Sequence, residues 1–173
     1  MLALVPQSTQ KKQLFTDVNS MPSNSLIKQI KTDFPKINFI LGDEFKWSAR
    51  SKAITYDTSD PNWKEHLLHE IAHASLNHHD CQSDTELIEY EVSAWQFAKN
   101  TLASKYNLEI SDKTCEEALE TYREWLHKRS LCPNCTTNGL EQLDNTYYCV
   151  ACDKRWKVTD RNHSIPRRYV VKQ

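Results

Sequence analysis

The spacing of apolar residues predicts a small sheet that is preceded by one helix and followed by others. Residues 1–24 show no sustained period and collect Ser, Gln, Asn and Pro, so we expect them to be disordered or loosely docked. A first amphipathic helix is predicted from a cap at Ser25 to about Asp33. Between residues 36 and 57, three short β-branched and aromatic runs, separated by polar turns, predict a small antiparallel sheet.

Three further helices are predicted after the sheet. The first follows a Pro-containing start at Asp60 and is rich in Leu, Ile and Ala, which predicts a buried helix. The second covers residues 85–106 and is capped by Ser83 or Asp84, and the third covers residues 111–128. Helices grouped around a small sheet predict an α+β fold.

The first of these helices carries the pattern His-Glu-x-x-His at His69, Glu70 and His73. Residues four apart share a helix face, so the two imidazoles can bind one metal ion while Glu70 lies beside it. Zinc bound in this way keeps an open position and lowers the pKa of its water to about 7. The pattern therefore predicts a catalytic zinc site in which Glu70 is the general base.

A third zinc ligand is expected on the second helix. Its apolar stripe consists of Leu87, Ala94, Ala98 and Leu102. Glu91 lies in the middle of this stripe, whereas Glu89 shares a face with polar residues, so Glu91 is the predicted ligand. His79 is an alternative, because it has the spacing of the third histidine of metzincins. Metzincins, however, have Gly at the position of Leu76 and a later Met-turn, and both methionines of this chain lie upstream.

A second metal site is predicted from four cysteines near the C-terminus. The pairs Cys132/Cys135 and Cys149/Cys152 are each of the form Cys-x-x-Cys and are thirteen residues apart. This spacing is typical of a zinc ribbon, in which each pair supplies two corners of a tetrahedron. A closed four-thiolate site is structural, so the zinc there is expected to fold a module too small to be stable alone.

Composition adds limits and one hypothesis. The chain is 39% hydrophobic and 26% charged and has no apolar run of membrane-spanning length, so we expect a cytoplasmic protein that binds no membrane. The net charge is only −1, but residues 153–173 carry seven Lys or Arg against two Asp. This basic segment includes Arg161, Arg167 and Arg168, and Trp156 and Tyr169 are interleaved with its charges. It could bind nucleic acid through phosphate contacts and stacking, or simply be a solvated tail.

At residues 69–78, His-Glu-Ile-Ala-His-Ala-Ser-Leu-Asn-His, and at residues 91–98, Glu-Val-Ser-Ala-Trp-Gln-Phe-Ala, the chain resembles ImmA/IrrE-like metallopeptidases. The resemblance is to their minimal gluzincin domain and covers roughly residues 25–106. It implies an intracellular protease with His69, His73 and Glu91 as zinc ligands and Glu70 as base. Several members of that family are linked to cleavage or inactivation of DNA-binding repressors.

Two alternatives remain at this point. A zincin followed by a zinc ribbon also resembles the SprT-like proteases, which act on DNA-bound proteins. Those use a third histidine well downstream, and no His occurs between His79 and His127. The other alternative is a non-catalytic adaptor that docks nucleic acid or protein and has a structural zincin fold, although a structural site has no need of Glu70.

The combined prediction is an α+β zincin-like domain at residues 25–128, a zinc ribbon at 129–158 and a basic tail at 159–173. The expected function is zinc-dependent hydrolysis of peptide bonds in a cytoplasmic, DNA-associated protein, with one catalytic and one structural Zn²⁺. A tyrosine or histidine is expected to stabilise the oxyanion, and Tyr56 and Tyr90 are candidates.

Overall fold

A computed structural model of the chain describes residues 23–159 and 166–171. The disorder predicted for residues 1–22 and the role considered for Arg161 therefore lie outside the described residues. Helix α1 spans Ser23–Asp33, so it begins before the predicted cap at Ser25. It ends as predicted, because Pro35 cannot continue a helix.

The N-terminal sheet has three strands in the order β1-β3-β2. They are β1 Asn38–Leu41, β2 Lys46–Ser48 and β3 Ala53–Tyr56. The prediction of an antiparallel sheet is wrong for one pair: β2 is antiparallel to β3, but β1 runs parallel to β3. The short β2–β3 hairpin fixes the antiparallel pair, whereas residues 42–52 allow the chain to return and pair β3 with β1 in the same direction. Strand β2 is thereby left as an edge strand.

The predicted helices after the sheet are present. They are α2 Trp63–Ser75, α3 Asp84–Phe97, a π-helical turn Ala98–Leu102, α4 Ala103–Lys105 and α5 Asp112–Ser130. Ser83 caps α3 by accepting a hydrogen bond from the backbone of Glu86. The predicted helix over 85–106 thus continues to Lys105, but it contains a π-helical turn that its apolar stripe does not reveal.

One apolar core holds α1, the sheet, α2 and α3 together. Its fully buried members include Ile30 from α1, Ile54 from β3, and Leu68 and Ile71 from α2. The same helix α2 therefore packs against the core on one side and carries the His-Glu-x-x-His residues. None of the helices in the described ranges has the length and apolar character that a membrane span requires.

The C-terminal part is a four-stranded antiparallel sheet with its own small core. Its strands are β4 Leu140–Glu141, β5 Thr146–Tyr148, β6 Arg155–Val158 and β7 Arg168–Val170, in sequence order. Buried Tyr147 stacks on Trp156 with ring centroids 5.5 Å apart. Strand β7, from the segment predicted to be a basic tail, pairs with β6. Trp156 is fully buried, so its predicted role as a surface aromatic that stacks on nucleic acid is wrong.

The two parts are joined at Arg129, which is fully buried near the end of α5. Its guanidinium donates to the carboxylate of Asp84 at 3.3 Å, to the backbone oxygen of Thr159 at 2.5 Å and to the side chain of Asn145 at 3.1 Å. The hydroxyl of Tyr147 donates to the same Asp84 carboxylate. We call the C-terminal sheet and its cysteine turns the ribbon. Because Asp84 begins α3, this junction fixes the ribbon against the helix that carries Glu91.

Candidate metal centre

Helix α2 places His69, Glu70 and His73 in a largely apolar environment. All three are at least about nine-tenths buried, with exposed fractions of 5%, 9% and 9%. They are neighbours of the fully buried Leu68 and Ala72 on α2. The packing that buries these apolar side chains therefore also buries the three polar ones. Buried imidazoles and carboxylates are costly unless they are paired, so their partners decide what the site can do.

Helix α3 brings Glu91 to the two histidines. Its Oε2 lies 3.0 Å from Nε2 of His69 and 3.6 Å from Nε2 of His73, and the two histidine nitrogens are 3.0 Å apart. Two ligands about 2.0–2.1 Å from a tetrahedral zinc ion lie roughly 3.3 Å apart. The triangle of two nitrogens and one oxygen therefore has the size and donor chemistry of a three-ligand zinc site, and the group could hold a metal ion.

The alternative ligands lie elsewhere. Glu89 is exposed on the other side of α3. His79 is also exposed, and its Nδ1 lies 3.4 Å from the backbone oxygen of Asn77 rather than near the two α2 histidines. Of the three residues weighed as third ligand, the structure brings only Glu91 to His69 and His73.

The electrostatics of Glu91 suit a ligand. Burial, the largest single cause, raises its pKa, but the hydrogen bonds to His69 and His73 and the electrostatic attraction of both rings together lower the pKa to about 2. The carboxylate is therefore charged at neutral pH. The opposite balance holds for Glu70, whose pKa is raised because burial outweighs the attraction of the neighbouring histidines. Two carboxylates in one site thus have opposite pKa shifts, which is a pattern typical of acid–base sites.

Glu70 is also fixed in position. Its Oε2 accepts a hydrogen bond from the backbone N–H of Trp47 at 2.6 Å. Trp47 lies at the centre of β2, and the bond from its amide to Glu70 shows that the edge of this strand away from β3 faces α2. A strand shortly before α2 is predictable from the sequence, but its hydrogen bond to Glu70 is not.

An open cleft of about 580 Å³ lies over these residues. Glu70, His73 and Glu91 line it from α2 and α3, residues 45–50 line it from β2 and its flanks, and Asn145 lines it from the ribbon. The cleft therefore reaches Glu70, His73 and Glu91, while His69 lies behind them and does not line it.

Tyr122 on α5 is a cleft residue that sequence reasoning missed. Burial, the negative charges of Glu91 and Glu70 and a hydrogen bond to Glu91 raise its pKa well above the usual value, so it keeps its proton. Of the two tyrosines considered from sequence, Tyr90 also lines the cleft and Tyr56 does not. Tyr56 is buried in the sheet, and Tyr90 stacks on His78 and donates to Glu86. The only sequence signal for Tyr122 is its place on the packing face of a helix.

The two histidines are supported in different ways. The ring of His69 stacks on Trp95 with centroids 4.3 Å apart and an interplanar angle of 23°. The Nδ1 of His73 instead lies 2.9 Å from Nδ1 of His78, which is 8% exposed. Neither Trp95 nor His78 was assigned a role from sequence.

The four ribbon cysteines form a second, closed group. Cys132 and Cys152 have sulfurs 3.6 Å apart, and Cys135 and Cys149 have sulfurs 3.4 Å apart. Thiolates bound to one tetrahedral zinc ion at about 2.3 Å lie roughly 3.8 Å apart, so this group also could hold a metal ion.

The two Cys-x-x-Cys turns that form this group are built alike. The residue after each second cysteine, Thr136 or Asp153, has a positive φ, 60° and 56° respectively. Each donates its backbone N–H to the carbonyl of the first cysteine of the pair, at 3.0 and 2.9 Å. The repeated turn brings two sulfurs to the same side of each loop, which is the arrangement of a zinc ribbon knuckle.

No family model, no curated protein and no solved structure matches the chain. What the two groups can bind is therefore inferred from their own residues alone.

Proposed function

We propose that the protein is a zinc-dependent metallo-endopeptidase. One observation carries the proposal: a buried carboxylate, Glu70, is held by a backbone amide beside three convergent ligand atoms at the wall of an open cleft. A structural metal site has no use for such a group, whereas metal-assisted hydrolysis needs a base within reach of the metal-bound water. The resemblance of residues 69–78 and 91–98 to ImmA/IrrE-like metallopeptidases supports the same interpretation.

In this proposal His69, His73 and Glu91 hold the ion. A zinc ion held by them would polarise a substrate carbonyl and lower the pKa of a bound water. Glu70 takes the proton from the water and passes it to the leaving amine, and its raised pKa suits both steps. Tyr122 lines the same cleft and its hydroxyl donates a hydrogen bond to Glu91, so it holds that carboxylate in place as a ligand.

The substrate class is a polypeptide, because an edge strand borders the cleft. Strand β2 has β3 on one side only; on its other side the Trp47 amide is held by Glu70, so an extended peptide would add to the rest of this edge. The position of Glu91 favours the ImmA/IrrE-like alternative over the SprT-like one, which depends on a later histidine. A cytoplasmic protein associated with DNA remains the proposed target.

The test is Glu70→Gln, with Glu89→Gln as a matched control on an exposed acid. We expect Glu70→Gln to keep zinc and fold but to lower the cleavage rate of denatured casein by about 10²–10⁴-fold, the range for a positioned acid–base group. Glu89→Gln should cleave like the native chain. Equal cleavage by Glu70→Gln and the native chain would refute the mechanism, and zinc binding without any cleavage would favour the adaptor alternative.

A nucleic-acid partner is a second proposal, and one face of the ribbon sheet supports it. The guanidinium of Arg155 lies 5.0 Å over the ring of Tyr148, and Lys157 pairs across the strands with Tyr169, which is 53% exposed. We name Tyr148, Arg155, Lys157 and Tyr169 the ribbon face. Aromatic rings interleaved with cations on an exposed sheet are suited to stacking and phosphate contacts with a single strand.

Charge reversal tests the ribbon face. The double variant Arg155→Glu/Lys157→Glu should weaken binding to a single-stranded oligonucleotide and reduce the slope of log K against log salt by about 0.7 for each phosphate that the protein no longer neutralises. Lys113→Glu is the control, because this lysine is exposed on α5. An unchanged slope in the double variant would remove the ribbon face as a nucleic-acid site while leaving the peptidase proposal intact.

A further inference from the structure

His78 is a buried, cleft-lining histidine that contacts His73 but is not one of the three convergent ligands. It is 8% exposed, and its Nδ1 lies 2.9 Å from Nδ1 of His73, on the side of the His73 ring opposite Nε2. The Nε2 of His73 is the atom that faces His69 and Glu91. His78 therefore contacts the one ring nitrogen of His73 that a metal would leave available.

The ring nitrogen that carries the proton in each histidine follows from the groups at the two ends of this contact. If Nε2 of His73 directs a lone pair at a metal, its Nδ1 carries the proton and donates to Nδ1 of His78. The proton of His78 then lies on Nε2, which is 3.4 Å from the hydroxyl oxygen of Ser93. That hydroxyl donates in turn to the backbone carbonyl of Tyr90 at 3.0 Å. Every group in the chain from His73 to Tyr90 has one consistent role, either as donor, as acceptor or as both.

The fold holds His78 firmly in this position. Its ring stacks on Tyr90 with centroids 4.1 Å apart and an interplanar angle of 4°. Its backbone oxygen accepts a hydrogen bond from the indole of Trp47 at 2.9 Å. The preceding residue, Asn77, has a φ of 56°, a left-handed conformation that Asn tolerates and that turns the chain after α2. Trp47 thus binds both Glu70, through its amide, and the loop that carries His78.

His69 has no comparable support. Its Nδ1 is buried and has no hydrogen-bond partner among residues 23–159 and 166–171, so stacking on Trp95 is what orients its ring. We infer that His78 is a positioning residue that fixes the tautomer and orientation of His73 for metal binding, through the hydrogen-bond chain to Ser93 and Tyr90. This inference rests on the proposed function, since it assumes that zinc binds to the α2 histidines.

The experiment measures zinc affinity at the helix site by competition with a chelator, with the ribbon site kept loaded. His78→Phe keeps a ring to stack on Tyr90 but removes the acceptor, whereas His78→Asn keeps an acceptor near the place of Nδ1. We expect His78→Phe to weaken binding by about 10–100-fold, the usual effect of losing a hydrogen-bond partner of a ligand histidine. His78→Asn should restore most of the affinity, and His79→Asn, on the exposed neighbour, should leave it unchanged.

Two results would overturn the inference: native affinity in His78→Phe, or equal weakening in His78→Phe and His78→Asn, which would assign the effect to packing. If His78→Phe does not fold, Ser93→Ala decides, because it removes only the far end of the hydrogen-bond chain. Weaker zinc binding in Ser93→Ala supports the inference, and unchanged binding refutes it. Failure of the native chain to bind zinc at the α2 histidines would instead refute the proposed function.

Discussion

The two groups that could hold a metal differ in how they are closed. The four cysteines surround a single point from two similar turns, and Cys132 and Cys149 are fully buried. The group of His69, His73 and Glu91 supplies only three ligand atoms and borders a cleft of about 580 Å³. A filled tetrahedron can only stabilise a fold, whereas three ligands beside an open space leave a position for water and substrate.

The two groups also differ in what surrounds them: backbone turns at the cysteines, and polar side chains at the helix group. The ribbon cysteines are set by backbone turns, and their neighbours Thr136 and Asp153 serve those turns. The helix group is flanked instead by titratable side chains: Glu70, with a raised pKa, and Tyr122, which keeps its proton. This difference is why the proposed chemistry is placed at the helix group and a structural role at the cysteines.

The largest effect is expected from breaking the closed group. Cys149→Ala removes one thiolate, and because structural zinc contributes on the order of 10–16 kcal/mol in small zinc modules, the ribbon should unfold. We expect one zinc fewer per chain and rapid hydrogen exchange over 131–159, while the helix site keeps its zinc. Cys115→Ala, outside the cluster, is the control. If the ribbon of Cys149→Ala stays protected from hydrogen exchange, the proposal that these cysteines hold a structural zinc is wrong.

The next effect concerns the junction between the two parts. Arg129→Met keeps the apolar stem but leaves the buried carboxylate of Asp84 without its cation, and such losses cost about 3–5 kcal/mol. This cost is measured as the difference in unfolding free energy between Arg129→Met and the native chain in urea titrations. Arg123→Met on the same helix removes only exposed ion pairs and should cost less than about 1 kcal/mol. Equal costs would show that the ribbon does not depend on this junction.

The chain has one glycine in each part, and the two allow a matched test. A Cβ at Gly139 would overlap the buried ring of Trp156, so Gly139→Ala should cost about 1–3 kcal/mol of unfolding free energy. At Gly42 the only atom in the way is a methyl group of the half-buried Thr55 at 2.6 Å, whereas at Gly139 a ring and a backbone oxygen are both close. Gly42→Ala should therefore cost less than Gly139→Ala. A reversed order would contradict the packing of the ribbon core.

The smallest change in unfolding free energy is expected at Asp33, an exposed acid whose ion pair, unlike that of Arg129, is open to solvent. Asp33 accepts hydrogen bonds from Tyr106 and Lys105, both at 2.9 Å, and these lower its pKa. Its stabilising contribution is therefore present above the unfolded pKa of about 3.9 and is lost as pH falls through the lower folded pKa. Asp33→Asn should be slightly less stable than the native chain at pH 7, and in urea unfolding the difference should shrink as pH falls below about 4. A difference that is constant with pH would contradict this.

Local sequence signals predicted the ligand groups better than they predicted the surroundings. The Cys-x-x-Cys pairs and the two α2 histidines each depend on contacts within a few residues, so spacing alone indicates them. Glu91 could be chosen over Glu89 because a carboxylate in an apolar stripe needs a buried partner. The direction of β1 could not be predicted, since parallel and antiparallel pairs of short strands have similar residue patterns.

The residues that complete the site depend on tertiary packing. Trp95 and Tyr122 look like ordinary core residues in sequence, and only the arrangement of α3 and α5 brings them to His69 and Glu91. His78 lies in a loop whose path is fixed by a left-handed residue and by Trp47, 31 positions earlier. The π-helical turn after α3 likewise leaves no mark in the apolar pattern.

The central claim is that the helix group is a metal site separate from the ribbon, with Glu91 as its third ligand. Elemental analysis of zinc per chain tests it most directly, on the native protein, Glu91→Ala and the exposed control Glu89→Ala. We predict two zinc ions in the native chain and in Glu89→Ala, and one in Glu91→Ala. One zinc in the native chain, or two in Glu91→Ala, would contradict the claim.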